Sequence, residues 1–264
     1  MSRHDNLLVE LGTEELPPKA LLTLSDAFAA GLDKQLRGAG FEFQALESYA
    51  TPRRLALRVE HIAAEQPERV ETRRGPALGA AFDASGAPTK AAQGFARSCG
   101  VEVNALGRLK SDEGEWLCFE QTVAGRRLFD VLPDMVNQAL AGLPIPKRMR
   151  WGAHTAEFVR PAHWVVMLYG SEVIAGEVLG LKADRVTHGH RFMHGAPIAL
   201  AHADDYVASL ATPGYVIAPF AARRERVRAL IEMTAQAEGG TAVIDEALLD
   251  EVTALVEWPV PICG

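Results

Sequence analysis

The sequence predicts an α/β (α+β) fold, and three observations carry that prediction. Leu7-Leu8-Val9-Glu10-Leu11 is a short apolar run closed by Gly12, the pattern of a buried strand. Apolar residues at Leu21, Leu24, Phe28, Leu32 and Leu36 recur at helical spacing. Phe41 to Tyr49 and Leu55 to Ile62 then have strand composition on either side of a turn at Thr51-Pro52. A strand, a helix and two strands within residues 1–63 make a β-α-β-β unit, the kind of unit from which a small α/β sandwich is built.

The remaining elements follow in order. Gly12 to Pro18 leads into the first helix, and Gly38 or Gly40 stops it. Glu14 and Glu15 fall at that helix N-terminus, where negative charge is worth roughly 0.3–1 kcal/mol. Adjacent carboxylates share neither a helix face nor a strand face, so this structural reading is preferred to a general acid–base pair. Ala64 to Arg74 is polar and is expected to be a linker or exposed loop, punctuated by Gly75-Pro76 and Gly86-Ala87-Pro88. A short helix is expected over Thr89–Cys99 and a strand over Trp116–Val123. A second long helix is expected from Arg126 to Leu143, with Leu128, Val131, Leu132, Met135, Val136, Ala139 and Leu140 on a broad apolar face. Phe158 to Leu181 has strand character, at Trp164–Tyr169 and Val173–Leu181. Residues 204–212, 219–237 and 245–257 have helical patterns, and Arg223, Arg224, Arg226 and Arg228 on the second of these fit a solvated face. The pattern divides into a β-α-β-β unit at 1–63, a mixed region at 64–200 and a mainly helical region at 201–264.

Composition bounds the function. The 264 residues carry a net charge of −7 with 48% hydrophobic and 23% charged residues, which are globular values and give no support for indiscriminate nucleic-acid binding. Cys99, Cys118 and Cys263 are odd in number and lack metal-ligand spacing, so a reducing, cytoplasmic setting is expected. Met1 to Asn6 has no signal-peptide pattern, and no apolar run approaches the roughly 20 residues of a membrane helix. Leu255 to Gly264 is apolar and reads as the start of an element in a longer chain, or alternatively as an end docked as an edge strand.

Against this acidic background the cations cluster. Lys147 to Gly152, Phe158 to Trp164 and Asp184 to Phe192 mix arginine, histidine and aromatic rings, which suit phosphate and base contact. Trp151 is expected to pack in the core. In a strand, His188 and His190 point to one side, so a shared metal, a phosphate or RNA contact and structural hydrogen bonding all remain open. Arg53 and Arg54 diverge if extended, so one meets a partner and the other pairs with a carboxylate such as Glu47 or Glu60. No nucleotide-loop or nucleophile-elbow motif is present.

Several strings resemble, from end to end, the N-terminal part of the beta subunit of bacterial heterotetrameric glycyl-tRNA synthetase. They are Leu8 to Ala20, Thr51 to Leu57, Arg74-Gly75-Pro76, Leu143 to Lys147, Met149 to Gly152, Phe158 to Pro161, Gly189 to Met193 and Leu255 to Val260. The resemblance implies a complete subunit more than twice this length, with later HD-type and anticodon-binding domains that this sequence does not contain. It implies a separate alpha subunit holding the class II core that activates glycine with ATP and Mg, and no cofactor on this part. It also implies partnership with tRNA and with the rest of the beta subunit, and a region similar to the editing-module fold of the phenylalanyl-tRNA synthetase beta chain. On this basis the expected tRNA contacts are Lys147, Arg148, Arg150, Arg160, His190 and Arg191, with Arg53, Arg54, Arg73 and Arg74 as a second set. Two alternatives stand beside this expectation. One is hydrolytic editing of mischarged tRNA near His188 and His190. The other is a purely structural scaffold in which Arg53, Arg160 and Arg191 are buried in salt bridges.

Overall fold

The computed structural model describes residues 3–111, 114–153 and 155–263; Met1, Ser2 and Gly264 lie outside them. The elements in chain order are β1 (His4–Thr13), α1 (Leu21–Gly38), β2 (Ala45–Thr51), β3 (Arg54–Ala63), β4 (Arg69–Ala77), α2 (Leu78–Ala81) and α3 (Lys90–Cys99). Next come β5 (Gly107–Ser111), β6 (Gly114–Val123), α4 (Leu128–Ala141), β7 (Ala162–Tyr169), β8 (Glu172–Val173), β9 (Glu177–Val178) and β10 (Leu181–Asp184). The last are β11 (Val186–His188), β12 (Pro197–Ala199), α5 (Tyr206–Ala211), α6 (Phe220–Ala237) and α7 (Glu246–Thr253).

The chain forms two compact units, one from residues 1–66 and 126–264 and the other from Pro67–Gly125. These do not coincide with the three segments drawn at 63/64 and 200/201. The reason lies in strand pairing: β1 bonds to β3 on one side and to β7 on the other, so residues 1–63 share a sheet with residues 162–169.

In the larger unit the main sheet runs β2-β3-β1-β7-β10-β9, with β8 added to β7. β1 is central and antiparallel to both neighbours, and β10 runs parallel to β7. Both faces of the sheet are covered, which is why β1 reads as a continuous apolar run rather than an alternating one. Leu7, Val9 and Leu11 join Leu55, Leu57, Val165 and Met167 beneath α1 and α4. Leu8, Ala56, Val166 and Leu168 face the other way, against Ile198, Leu200, Tyr206 and Leu210. The buried apolar residues of α1 (Leu21, Leu24, Phe28, Leu32 and Leu36) and the seven of α4 match the helical spacings in the sequence. Each fully buried leucine contributes about 1.5–3 kcal/mol, so these two faces dominate the stability of the unit.

The smaller unit is a three-stranded antiparallel sheet in the order β4-β6-β5, with α2 and α3 around Ala81, Ala92 and Leu117. Here the expected linker over 64–74 is corrected, because β4 begins at Arg69 and pairs with β6 from Arg69↔Val123 to Arg74↔Cys118. Residues 69–74 are all exposed, so the ladder forms with no hydropathy signature.

Three further expectations change. Val173–Leu181 is not one strand but parts of β8, β9 and β10 with irregular backbone between them. Glu14 and Glu15 precede a short 3-10 turn (Pro18–Ala20) instead of entering the first turn of α1. Arg223 does not lie on a solvated face; it is fully buried. The Leu255–Ile262 segment has no strand among its described residues, but Ile217 N–H donates to the Glu257 carbonyl at 3.0 Å and fixes its start.

Candidate functional site

The site lies in the larger unit, where β1 leaves the sheet. Gly12 stands opposite Arg54 on β3 and Trp164 on β7. A Cβ at Gly12 would lie 1.9 Å from the Trp164 indole, so the missing side chain is what lets the ring lie against the strand. The following backbone is pinned on both sides. Thr13 N–H donates to the Arg53 carbonyl (2.8 Å), Leu16 N–H to Pro52 (2.6 Å) and Glu14 N–H to Pro161 (2.9 Å). Arg160 Nε adds a bond to the Glu15 carbonyl at 3.0 Å. Residues 13–16 are thus a rigid shelf between the β2–β3 turn and the start of β7.

Behind the shelf is a buried polar cluster. Arg54 donates to Thr51 Oγ1 (3.0 Å), Glu257 Oε1 (3.1 Å) and Glu10 Oε1 (3.4 Å). The Thr51 hydroxyl donates to Glu257 and the Thr187 hydroxyl to Glu10. Burial pushes the Glu10 carboxyl up, against the opposing pull of Arg54 and Thr187. Burial likewise raises the Tyr206 phenol well above its ordinary range, with the Glu10 charge adding to the effect. The expected partners Glu47 and Glu60 belong instead to Arg58, at 3.3 and 3.0 Å. Arg54 has no exposed surface, so it is corrected from an RNA contact to an internal one.

Arg53, at the turn, faces outward and is half-buried. It lines two adjoining pockets. One, of about 280 Å³, is walled by Arg53, His163, Trp164, His188, Arg191 and His194, with Gly189 and Gly195. The other, of about 200 Å³, adds Glu15, His190, Phe192, Glu257 and Trp258. Arg191 pairs with Glu14 and, at 3.1 Å, with Glu15, while His163 Nε2 lies 2.9 Å from Glu14. These contacts, led by the Arg191 hydrogen bond, pull the Glu14 carboxyl down to about 2. His188 stacks edge-on to Trp164 and is shifted below its ordinary value, first by burial and then by Arg54, Arg53 and His163. Phe192 is 86% exposed beside His190, a ring offered to solvent next to two arginines.

His188 and His190 do not meet at one point. β11 ends at His188, so strand alternation stops there; His190 Nδ1 instead accepts from the Phe192 and Met193 amides. Among the described residues no group of three or more His, Cys, Asp or Glu is placed to hold a metal.

Arg53, His190 and Arg191 are therefore brought together, with Arg160 beneath them. The other candidates lie elsewhere in the chain. Arg148 donates to the Ala141 carbonyl at the end of α4, Arg150 pairs with Glu157 at 2.7 Å and Lys147 is exposed. Trp151 packs against the main core as expected. Arg73 and Arg74 belong to the smaller unit; Arg73 donates to the Ser98 carbonyl and Arg74 lies 3.6 Å over the Trp116 ring. Arg53, Arg160 and Arg191 are not buried in salt bridges: Arg191 is exposed and Arg160 binds backbone carbonyls. Sequence reasoning missed Glu257 as the partner of Arg54, because nothing local links positions 203 residues apart. It also missed Glu14 as the carboxylate that orients His163 and Arg191.

The geometry defines a mixed α/β module whose main sheet ends in a cationic, aromatic-edged pair of pockets. The model of the family described as glycyl-tRNA synthetase beta subunit matches residues 7–264. The chain belongs to that family. It is 52% identical over 261 residues to the glycine–tRNA ligase beta subunit of Hahella chejuensis, covering 99% of this chain and 38% of the relative. It is 53% identical over 258 residues to that of Chromohalobacter salexigens, covering 98% and 37%. For Marinobacter nauticus the identity is 52% over 260 residues, covering 98% and 38%. The chain thus spans well under half the length of these curated relatives. No helix among the described residues is long and apolar enough to cross a membrane.

Proposed function

We propose that this chain is the N-terminal part of the tRNA-handling subunit of a cytoplasmic glycine–tRNA ligase and is not itself catalytic. ATP- and Mg-dependent activation of glycine belongs to a separate alpha subunit, and this part supports tRNA binding and assembly. The mixed region shares its fold, though not a hydrolytic activity, with the editing module of the phenylalanyl-tRNA synthetase beta chain. Hydrolytic editing finds no support in the comparisons.

The observation that carries the reading is the convergence of Arg53, His190, Arg191 and the exposed ring of Phe192 on one face. Arginines supply phosphate contacts and an exposed aromatic supplies a stacking platform. A second, structural role has its own observations: Arg54, Arg148 and Arg160 spend their donors inside the protein.

The test is tRNA binding by the assembled enzyme as a function of salt. Arg191→Ala with Phe192→Ala should weaken binding about tenfold, with stacking worth ~1–3 kcal/mol per base, and lower the log–log salt slope by about 0.9 or less. Unchanged affinity and slope in a folded variant would remove this face from the tRNA surface.

A further inference from the structure

We propose that the pocket walled by Arg53, His163, Trp164, His188, Arg191 and His194 is a binding site for the oxyanion of a phosphate group, with Arg53 as its principal ligand. For the source of that phosphate the proposal rests on the tRNA reading above; for the site itself it does not.

Arg53 is the anomaly that points there. Its Nε is buried with no hydrogen-bond partner, and among the described residues no carboxylate or carbonyl closes on its guanidinium. Its neighbours are all provided for: Arg54 has Glu10 and Glu257, Arg160 has backbone carbonyls, and Arg191 and His163 have Glu14. Burial and repulsion from Arg191 both disfavour the Arg53 charge, while Glu257, Glu14 and Glu15 favour it only from a distance. Removing a cation half-way from water without a carboxylate in direct contact is unfavourable. A bound anion reverses that sign.

The surroundings select the kind of anion. Side chains with donor groups line the pocket from four places: Arg53 from the β2–β3 turn, His163 from β7, His188 from the end of β11, and Arg191 and His194 from the loop before β12, with Arg191 and His163 also held by Glu14. A planar carboxylate uses one two-pronged donor, whereas a tetrahedral oxyanion accepts from several directions at once. Glu14 is not part of the lining; it stands behind Arg191 and His163 and fixes both. The Trp164 indole forms one wall and Phe192 stands in the adjoining pocket, so a nucleoside attached to the phosphate finds apolar rings at both ends. At about 280 Å³ the pocket has room for more than the anion alone.

The experiment is phosphorus NMR of inorganic phosphate, and separately of AMP, titrated with the full chain. Specific line broadening is expected, and Arg53→Gln should weaken it at least about tenfold, the usual cost of losing a hydrogen bond to a charged group. The Arg53 guanidinium holds no internal hydrogen bond but stands 5.7 Å from the Trp164 ring centroid, a weak cation–π contact, so Arg53→Gln should lower the unfolding midpoint by no more than about 2–4 °C. Absence of broadening with the unaltered chain, or equal broadening with Arg53→Gln, overturns the site. A second arm adds phosphate to the assembled enzyme carrying labelled tRNA. Displacement that depends on Arg53 assigns the site to an RNA phosphate. Arg53-dependent phosphate binding that leaves tRNA undisturbed supports the site with a free nucleotide as its source. If tRNA binding falls with Arg191→Ala and Phe192→Ala while phosphate is never bound, the site alone is wrong and the tRNA face stands.

Discussion

Three arginines of identical chemistry have three different fates in this chain. Arg53 turns out to a pocket, Arg54 turns in to two glutamates, and Arg223 is buried among backbone carbonyls. Strand alternation predicts that Arg53 and Arg54 part company, but not which one goes inside, since the deciding residues are Glu10 and Glu257 far along the chain. Arg223 was illegible for a related reason. Its row of arginines resembles any exposed helix face, yet its guanidinium donates to Ile217 and Ala50 at 2.6 Å, Thr253 at 3.1 Å and Ala218 at 3.3 Å. It ties α6 to β2 and to the end of α7, and burial pushes its pKa down to about 10. Arg223→Met strands these acceptors, each costing about 1–3 kcal/mol when left unmet. Urea denaturation should therefore show a loss of at least ~3 kcal/mol. Arg224→Ala, which removes only surface pairs with Glu246 and Asp250, should cost about 0–1 kcal/mol. Arg54→Met should cost about 3–5 kcal/mol because it leaves Glu10 and Glu257 buried together, and Glu257→Gln on top of it should recover part of that loss.

At the scale of elements, legibility followed burial. α1 and α4 were readable because only a helix brings apolar residues three and four apart onto one buried stripe, and β1 because both its faces are covered. β4 was not, because its exposed residues form a ladder through backbone groups that hydropathy does not register. The shelf at 13–16 was also hidden, since its order comes from Arg53, Pro52 and Pro161 carbonyls. Two measurements address it. Gly12→Ala puts a methyl into the Trp164 indole and should destabilise by about 1–3 kcal/mol, a loss that Trp164→Leu in the same chain should reduce. Glu14, held at about 2 by Arg191 against an ordinary value of 4.5, binds its proton more readily when unfolded. Its contribution is fully present above 4.5 and lost as pH falls toward 2. Glu14→Gln should flatten the fall in stability across that window and leave the slope above it unchanged. His188, shifted below 6.5, adds a separate loss that begins as pH drops under that value.

On the scale of the whole molecule, the smaller unit interrupts the larger one at a point the larger one already closes. Gln66 N–H donates to the Arg126 carbonyl at 3.1 Å, Arg126 N–H returns a bond to Gln66 Oε1 at 2.9 Å, and Glu65 bridges Arg127. The next pair, Leu128 N–H to the Ala64 carbonyl at 2.8 Å, starts α4. The chain therefore leaves and re-enters at adjacent positions that the larger unit holds by its own bonds. Its two cores, on either face of the main sheet, have all their described members within residues 1–66 and 126–264. Excising Pro67–Gly125 and joining Gln66 to Arg126 through a short Gly-Asn turn should leave a folded protein. Replacing a long excursion by a short turn lowers the entropy cost of closing the chain at this point. Thermal unfolding should remain cooperative, and its midpoint should stay close to that of the larger unit in the uncut chain. The excised segment is the opposite case. With Ala81, Ala92, Ala96, Leu117 and Cys118 as its buried apolar residues among those described and fewer than about 70 residues in all, it has too small a core to be more than marginally stable alone. Because the Arg53 pocket is built wholly from residues of the larger unit, phosphate broadening and its loss in Arg53→Gln should both survive the excision. A non-cooperative melt of the excised chain would show that the larger unit depends on the smaller one for its fold.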